Sequence, residues 1–356
     1  MALSAANKRI DAQIQGWSAW LPARRAHSRD AAAVAAGAAA GEAAPMVARI
    51  VSLALGALLA HAALARPRPV VETHIHVYQV TRPGGVPWPK PGNQVLYRDV
   101  LPAEYRALAR KQGVIAAGIM EASPLFEDNL KVAALIDEDP FFTFYVAQLE
   151  VGAPDFATKL AQLAKSPKCV GIRGFLWSPK LTLDARQIAD LEALARQGMT
   201  LDLISRGTLN PKEQVAALAQ AVPELRIVVD HLGGAKGESV DPAWEAGVRK
   251  LAAHRNVYMK VSSLFDMFNP RSTEDQGWTS PAALAAYKPH LDVLLDAFGP
   301  DRLIFGSNWP VVNLGGSFEK QLALVEAWLR PLGTAVRDKV MAGNAQKFYR
   351  RAPPAR

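Results

Sequence analysis

From residue 70 onward, short runs rich in β-branched and aromatic residues alternate with amphipathic stretches of helical length. The β-type runs fall at 70–78, 114–121, 141–149, 170–177, 200–205, 226–232, 256–264 and 302–308. Helical candidates between them include 129–137, 156–164, 185–197, 211–221, 242–254, 281–298 and 318–329, with a final helix over 336–349. Several carry start and stop signals: Asp184 before the helix at 185, Gly198 after it, Asn210-Pro211 opening the next and Pro223 closing it. Eight strands, each followed by a helix, over about 280 residues match the size and period of a (β/α)8 TIM barrel. An open doubly wound sheet normally has a Gly-rich phosphate turn after its first strand, and Val77-Tyr78-Gln79 is not one.

A barrel gathers all its strand C-termini at one rim, where active sites of this fold are built. The polar residues ending the strands are therefore the candidates. They are His74 and His76, Glu121, Arg173, Asp202 with Arg206, Asp230-His231, Lys260 with Ser262, and Ser307-Asn308. Side chains alternate along a strand, so Glu72, His74 and His76 share one face of the first. Two imidazoles on one face, with a carboxylate behind them, suit a metal ion or the polarising of a substrate oxygen. Of seven histidines, His27 and His61 precede the barrel, and His254 and His290 fall in helices or loops. The remaining three all fall at strand ends.

Composition excludes some classes. The chain has 356 residues, 50% hydrophobic and 21% charged, enough for a large core. Its single cysteine, Cys169, excludes an internal disulfide framework and reads as a buried, inert thiol. The net charge of +8 does not imply nucleic acid, because about +5 precedes Val70 and no basic stripe follows. Residues 1–45 are an Ala/Gly-rich leader, disordered or an over-read ahead of a start at Met46. Residues 46–65 have the layout of a secretory signal peptide: Arg49, the apolar run 50–59, and small residues Ala63 and Ala65 before the cleavage point. That segment predicts a periplasmic or secreted protein without a stable membrane anchor, or a cytoplasmic one if the leader does not function. The barrel domain then spans 66–352, and oligomeric state is not legible.

Five segments together resemble one family. Glu72-Thr73-His74-Ile75-His76-Val77-Tyr78 is similar to the first-strand signature Asp-Thr-His-x-His-x-aromatic of the amidohydrolase-related barrel hydrolases. Val170 to Gly174, Ile227 to Gly233, Val257 to Ser262 and Ile304 to Val311 are similar to its later strands, in the same order. The Trp309-Pro310 ending and the Asp230-His231-Leu232-Gly233 segment resemble the branch that hydrolyses sugar lactones and pyrone-dicarboxylate lactones.

The resemblance implies a hydrolase that opens a lactone by water attack. It implies one divalent metal, zinc or manganese, on His74, His76 and His231, with Glu121 as a further ligand; metal-free operation, with the imidazoles polarising the carbonyl, stays open. Arg173, Trp309 and Lys260 would contact a small-molecule substrate, Arg173 through its bidentate fork. The rival for Arg173 is a structural ion pair, and for Lys260 an interior pairing with Glu72 or Asp202. Asn308 stands where the family usually has the Asp that serves as general base, and a carboxamide cannot take a proton near neutral pH. Three readings follow: a metal ion activates the water, Glu121 or Glu72 replaces the base, or the barrel keeps its pocket without turnover. A metal-dependent decarboxylase and a non-catalytic small-ligand-binding barrel are the alternatives. The loops at 81–94 and 265–279 supply Trp88, Phe265, Phe268 and Trp278, as pocket lining or as packing on the rim.

Overall fold

The computed structural model describes residues 68–174, 183–204, 212–270 and 277–351. The leader, the signal segment, Arg206 and the end of the fourth predicted strand lie outside the described residues.

Eight parallel strands pair in chain order. They are β1 (Val70–Ile75), β2 (Val114–Met120), β3 (Phe142–Gln148), β4 (Cys169–Gly174), β5 (Thr200–Leu203), β6 (Arg226–Val229), β7 (Val257–Val261) and β8 (Leu303–Phe305). A parallel bridge from Ile75 to Trp309 brings the last strand round to the first, with His76 N donating to Trp309 O and Asn308 N to His74 O, each at 2.8 Å. The fold is the (β/α)8 barrel the sequence implies. Gly306 lies where β1 and β8 meet; a Cβ there would stand 2.9 Å from His74 Cβ. No larger residue fits that approach.

The helices are α1 (Pro102–Lys111), α2 (Phe126–Ile136), α3 (Phe156–Leu163), α4 (Ala185–Arg196), α5 (Lys212–Ala221), α6 (Pro242–Ala252), α7 (Lys288–Phe298), α8 (Phe318–Leu329), α9 (Thr334–Asp338) and α10 (Asn344–Phe348). Helix α1 occupies the long connection after β1 that the sequence reading leaves unassigned. Helix α2 starts three residues before the predicted 129. Asn129 is a residue type favoured at helix starts, but here its side chain pairs instead with both backbone groups of Gln148 at the end of β3. Helix α7 is shorter than predicted because Pro289 sits in its first turn, where a missing N–H costs nothing. The predicted final helix is broken by a π turn at Lys339–Gly343.

Two apolar layers hold the barrel. The larger lies between strands and helices; the smaller fills the interior with Val71, Phe144, Val146, Val228 and Ile304. Gly118 makes room for Phe144, whose ring overlaps the ideal Cβ position at 2.0 Å. Phe144 in turn stacks on Tyr349, centroids 4.3 Å apart. The residues after α10 thus close the lower mouth. Arg226 and Arg351 fasten this plug by donating to carbonyls of Phe348, Gly198, Ala164 and Ser166. Among the described residues no helix is long and apolar enough to cross a membrane.

Candidate active site

Among the described residues, the predicted strands overrun the observed ones at their C-terminal ends, and the overrun residues after β6, β7 and β8 leave the ladder at the rim. His231 and Leu232 after β6, Ser263 after β7 and Asn308 after β8 all have φ between 53° and 65°. Left-handed non-glycine residues are uncommon and persist where the surroundings impose them, often at functional sites.

The three strand-end histidines do converge. The His74 ring lies 5.1 Å from His76 and 4.5 Å from His231, centroid to centroid. Ligand atoms of His74, Asp230 and His231 lie within 4.8 Å of one another. Asp230, a strand-end residue beside His231, belongs to this group. It is the carboxylate of the cluster, in the place expected of Glu121.

Beneath the rim runs a buried charge network. Lys260 Nζ sits 2.7 Å from Asp202, 3.0 Å from Asp230 and 3.3 Å from His74 Nδ1. Asp230 also lies 3.4 Å from Arg173 and 3.5 Å from His74 Nδ1. Burial disfavours the charged form of Asp230, but Lys260, His74 and Arg173 outweigh it and hold the carboxyl well below its usual range. Burial depresses all three imidazoles: His76 and His231 fall to about 3, and His74 well below its ordinary value. They are neutral at physiological pH, as metal ligands must be.

Second contacts fix the ring orientations. Ser262 Oγ lies 2.9 Å from His231 Nδ1, and His76 Nδ1 lies 2.8 Å from the Met120 carbonyl. His76 Nε2 faces Asn308 Oδ1 at 3.1 Å. That pairing is short of a proton. Ser263 donates its hydroxyl hydrogen to Asp266 at 2.7 Å and so accepts from Asn308 Nδ2 at 2.8 Å, which turns Oδ1 toward His76. A neutral His76 has one N–H for two carbonyl oxygens. With Nδ1–H on Met120, Nε2 and Oδ1 aim lone pairs at one another.

A cation resolves this. Donors about 2.1 Å from one ion stand roughly 3–3.4 Å apart, which accommodates the observed spacing. His74 Nε2 is likewise buried with no hydrogen-bond partner among the described residues. By the spacing of their ligand atoms, His74, Asp230 and His231 are the residues that could hold a divalent ion, with His76 Nε2 and Asn308 Oδ1 facing each other beside them.

Three assignments need correcting. Glu121 is not brought into the cluster; its Oε1 accepts from Ala122 N and Ser123 N, both at 2.8 Å, tying it to its own turn. Lys260 is fully buried between Asp202 and Asp230 and cannot touch substrate, nor does it pair with Glu72. Glu72 instead accepts from His74 N, Ser307 N and Tyr105 OH, stapling β1 to β8 and α1. Trp309 is buried against Tyr105, centroids 5.1 Å apart, on the helical side of the sheet. Phe265 is buried, Phe268 packs on Tyr287, and Trp278 donates to Phe265 O, so these aromatics pack on the rim. Trp88 alone of that group meets the site, edge-on to His76 at 5.6 Å. Arg173 keeps its candidacy: one terminal nitrogen pairs with Asp230, and its buried Nε has no partner among the described residues.

The chain belongs to the amidohydrolase family, whose sequence profile matches residues 71–351. It is 32% identical over 292 residues to an L-fucono-1,5-lactonase of Burkholderia ambifaria, covering 79% of this chain and 95% of that one. A second L-fucono-1,5-lactonase, from Burkholderia multivorans, is 28% identical over 302 residues, covering 80% and 97%. Among solved structures, a zinc-bound amidohydrolase from Burkholderia multivorans superposes with a TM-score of 0.69 at 26% identity, covering 80% of this chain and 99% of that chain.

Proposed function

We propose that this protein is a hydrolase that opens the cyclic ester of a sugar acid, using a divalent ion at the upper rim. The convergence of His74, His76, His231, Asp230 and Arg173 carries this reading, in a family whose curated relatives are named for L-fucono-1,5-lactone hydrolysis. A bound zinc or manganese ion supplies Lewis acidity toward the lactone carbonyl and lowers the pKa of the attacking water. The protein's own groups orient the reactants. Met120 O and Ser262 fix the imidazoles of His76 and His231; Asp230, itself held ionised by Lys260, fixes His74. Arg173 offers its free Nε–H to a lactone or hydroxyl oxygen, where a fixed cation stabilises charge developing on the carbonyl. Water adds to the carbonyl carbon, the ring C–O bond breaks, and the product is a hydroxy acid that releases one proton to solvent.

Asn308 favours one other reading, a barrel that binds such lactones without turnover. Proton release by residues 66–356 on a lactone panel, with and without zinc or manganese, decides between them. Turnover that vanishes in His76→Ala supports the hydrolase; a lactone-induced rise in melting temperature with no turnover supports the binding protein. Two solved decarboxylases of similar fold are 16% and 13% identical and bear on the fold alone. The signal-like segment at 46–65 supports a periplasmic or secreted location, which N-terminal sequencing of protein recovered outside the cytoplasm tests.

A further inference from the structure

Beside the histidine cluster, the ends of β1 and β2 and helix α2 enclose a pocket of about 410 Å³, well within the size of small-molecule sites, about 300–1,000 Å³. None of His74, His231, Asp230, Arg173 or Asn308 lines it. Trp88 stands between the two, its ring edge-on to both His76 and Tyr78. The walls are Trp88, Tyr78, Val132 and Leu135. Most polar groups here are engaged: Arg82 holds Asp128 through two bonds, Lys131 pairs with Asp128, and Tyr78 donates to Leu96 O. Glu121 differs. Its Oε1 is anchored by two backbone N–H groups, while Oε2 is buried with no hydrogen-bond partner among the described residues. A buried acceptor left bare is costly. Being already fixed, it loses little further freedom when a ligand donates to it.

We propose that this pocket is a subsite for a neutral hydroxylated ring, lying against Trp88 and hydrogen-bonded through a hydroxyl group to Glu121 Oε2. Resting on the lactonase reading, it narrows the substrate class to sugar lactones that carry a second sugar ring. The chemistry favours this occupant over others. Arg82 and Lys131 balance Glu121 and Asp128, so net charge selects no ion. A purely apolar ring would leave Oε2 bare. A pyranose offers a C–H face to the indole and a hydroxyl edge to the carboxylate.

The test has two arms. Saturation-transfer NMR with methyl α-L-fucopyranoside and methyl β-D-glucopyranoside reads pocket binding without any lactone. The proposal expects a signal in wild type that is lost in Leu135→Trp, which fills the mouth from an exposed helix position, and weakened at least five-fold in Glu121→Gln. Steady-state proton release then compares L-fucono-1,5-lactone with a panel of disaccharide lactones. At least one of the latter should show a kcat/KM ten-fold higher, an advantage both variants remove while kcat on the simple lactone holds. No pyranoside binding, binding indifferent to both variants, or no gain from a second ring in an active enzyme overturns the subsite. Loss of simple-lactone turnover in Glu121→Gln overturns it too, by placing Glu121 in the hydrolytic centre. Pyranoside binding in a protein that hydrolyses no lactone sustains the sugar pocket and overturns the lactonase reading instead.

Discussion

The Tyr349 hydroxyl enters the barrel from below and meets the Asp202 carboxylate at 2.5 Å. Both groups are fully buried, and Asp202 carries the contact on to Lys260 and thence to Asp230 at the rim. The plug that closes the floor is therefore joined to the site by a continuous line of charge and hydrogen bonds. Hydrogen bonds to charged groups contribute about 1.5–3 kcal/mol. Tyr349→Phe, which keeps the stacking on Phe144, should lower the unfolding free energy by about that amount in urea.

Removing the ammonium between Asp202 and Asp230 is more severe. Lys260→Met keeps the volume but leaves Asp202 without a counter-charge and Asp230 with Arg173 alone. Breaking a buried ion pair by deleting one partner costs about 3–5 kcal/mol. Denaturant unfolding should show a loss in that range, with part of it recovered in Lys260→Met/Asp202→Asn. A loss below 1 kcal/mol would mean that Lys260 does not bridge the pair.

Stability of the chelator-treated protein should depend on pH with a definite sign. The three site imidazoles are neutral when folded and take up protons on unfolding below about 6.5, so they make stability rise with pH. Burial raises the carboxyls of Glu72 and Glu121 to about 7 from 4.5, so on unfolding between those values they release protons and make stability fall with pH. Burial also depresses His290 and raises Asp202, so four groups that take up protons on unfolding outweigh three that release them, and one net proton is worth about 1.4 kcal/mol per pH unit. Stability should climb steeply from pH 3.5 to 4.5, less steeply to about 6.5, and then level. Glu72→Gln should steepen the middle segment; an unchanged slope would show that Glu72 is not protonated there.

Asn308→Asp places a carboxylate against His76 where the native chain has a carboxamide. General-base assistance contributes about 10²–10⁴-fold where the base is well placed. The proximity of Asp266, bridged through Ser263, works against ionised Asp at 308. An increase in kcat toward the lower end of that range, with an acidic limb appearing in the pH profile, is expected from stopped proton-release assays. Unchanged kcat would place proton removal elsewhere.

Much of this was legible in the sequence. Strand and helix periodicity marked out the barrel, and barrel topology alone led His74, His76 and His231 to one rim. Arg173 followed because it ends a strand. Other parts were hidden for physical reasons. Tyr349 belongs to a terminal segment whose entry into the barrel floor leaves no periodic trace. Trp309 sits one residue past the rim, and backbone bridging to Ile75 turns its ring outward. Glu121 ends β2 as a ligand would, yet its carboxylate is claimed by the next two amides. Asp230 stood in plain view but reads as a strand residue until Lys260, Arg173 and His74 are seen around it. Ser263 gave no signal, since its role depends on a left-handed turn that orders Asn308.

The central claim is most directly tested by proton release from L-fucono-1,5-lactone, followed at saturating zinc for the wild-type protein and for His74→Ala, His76→Ala and His231→Ala. Each substitution should reduce turnover by at least about 100-fold, the scale at which a preorganised electrostatic group acts in a catalytic site, while circular dichroism shows a folded barrel. Turnover that survives all three substitutions would contradict the account, because the convergent imidazoles would then have no part in the reaction.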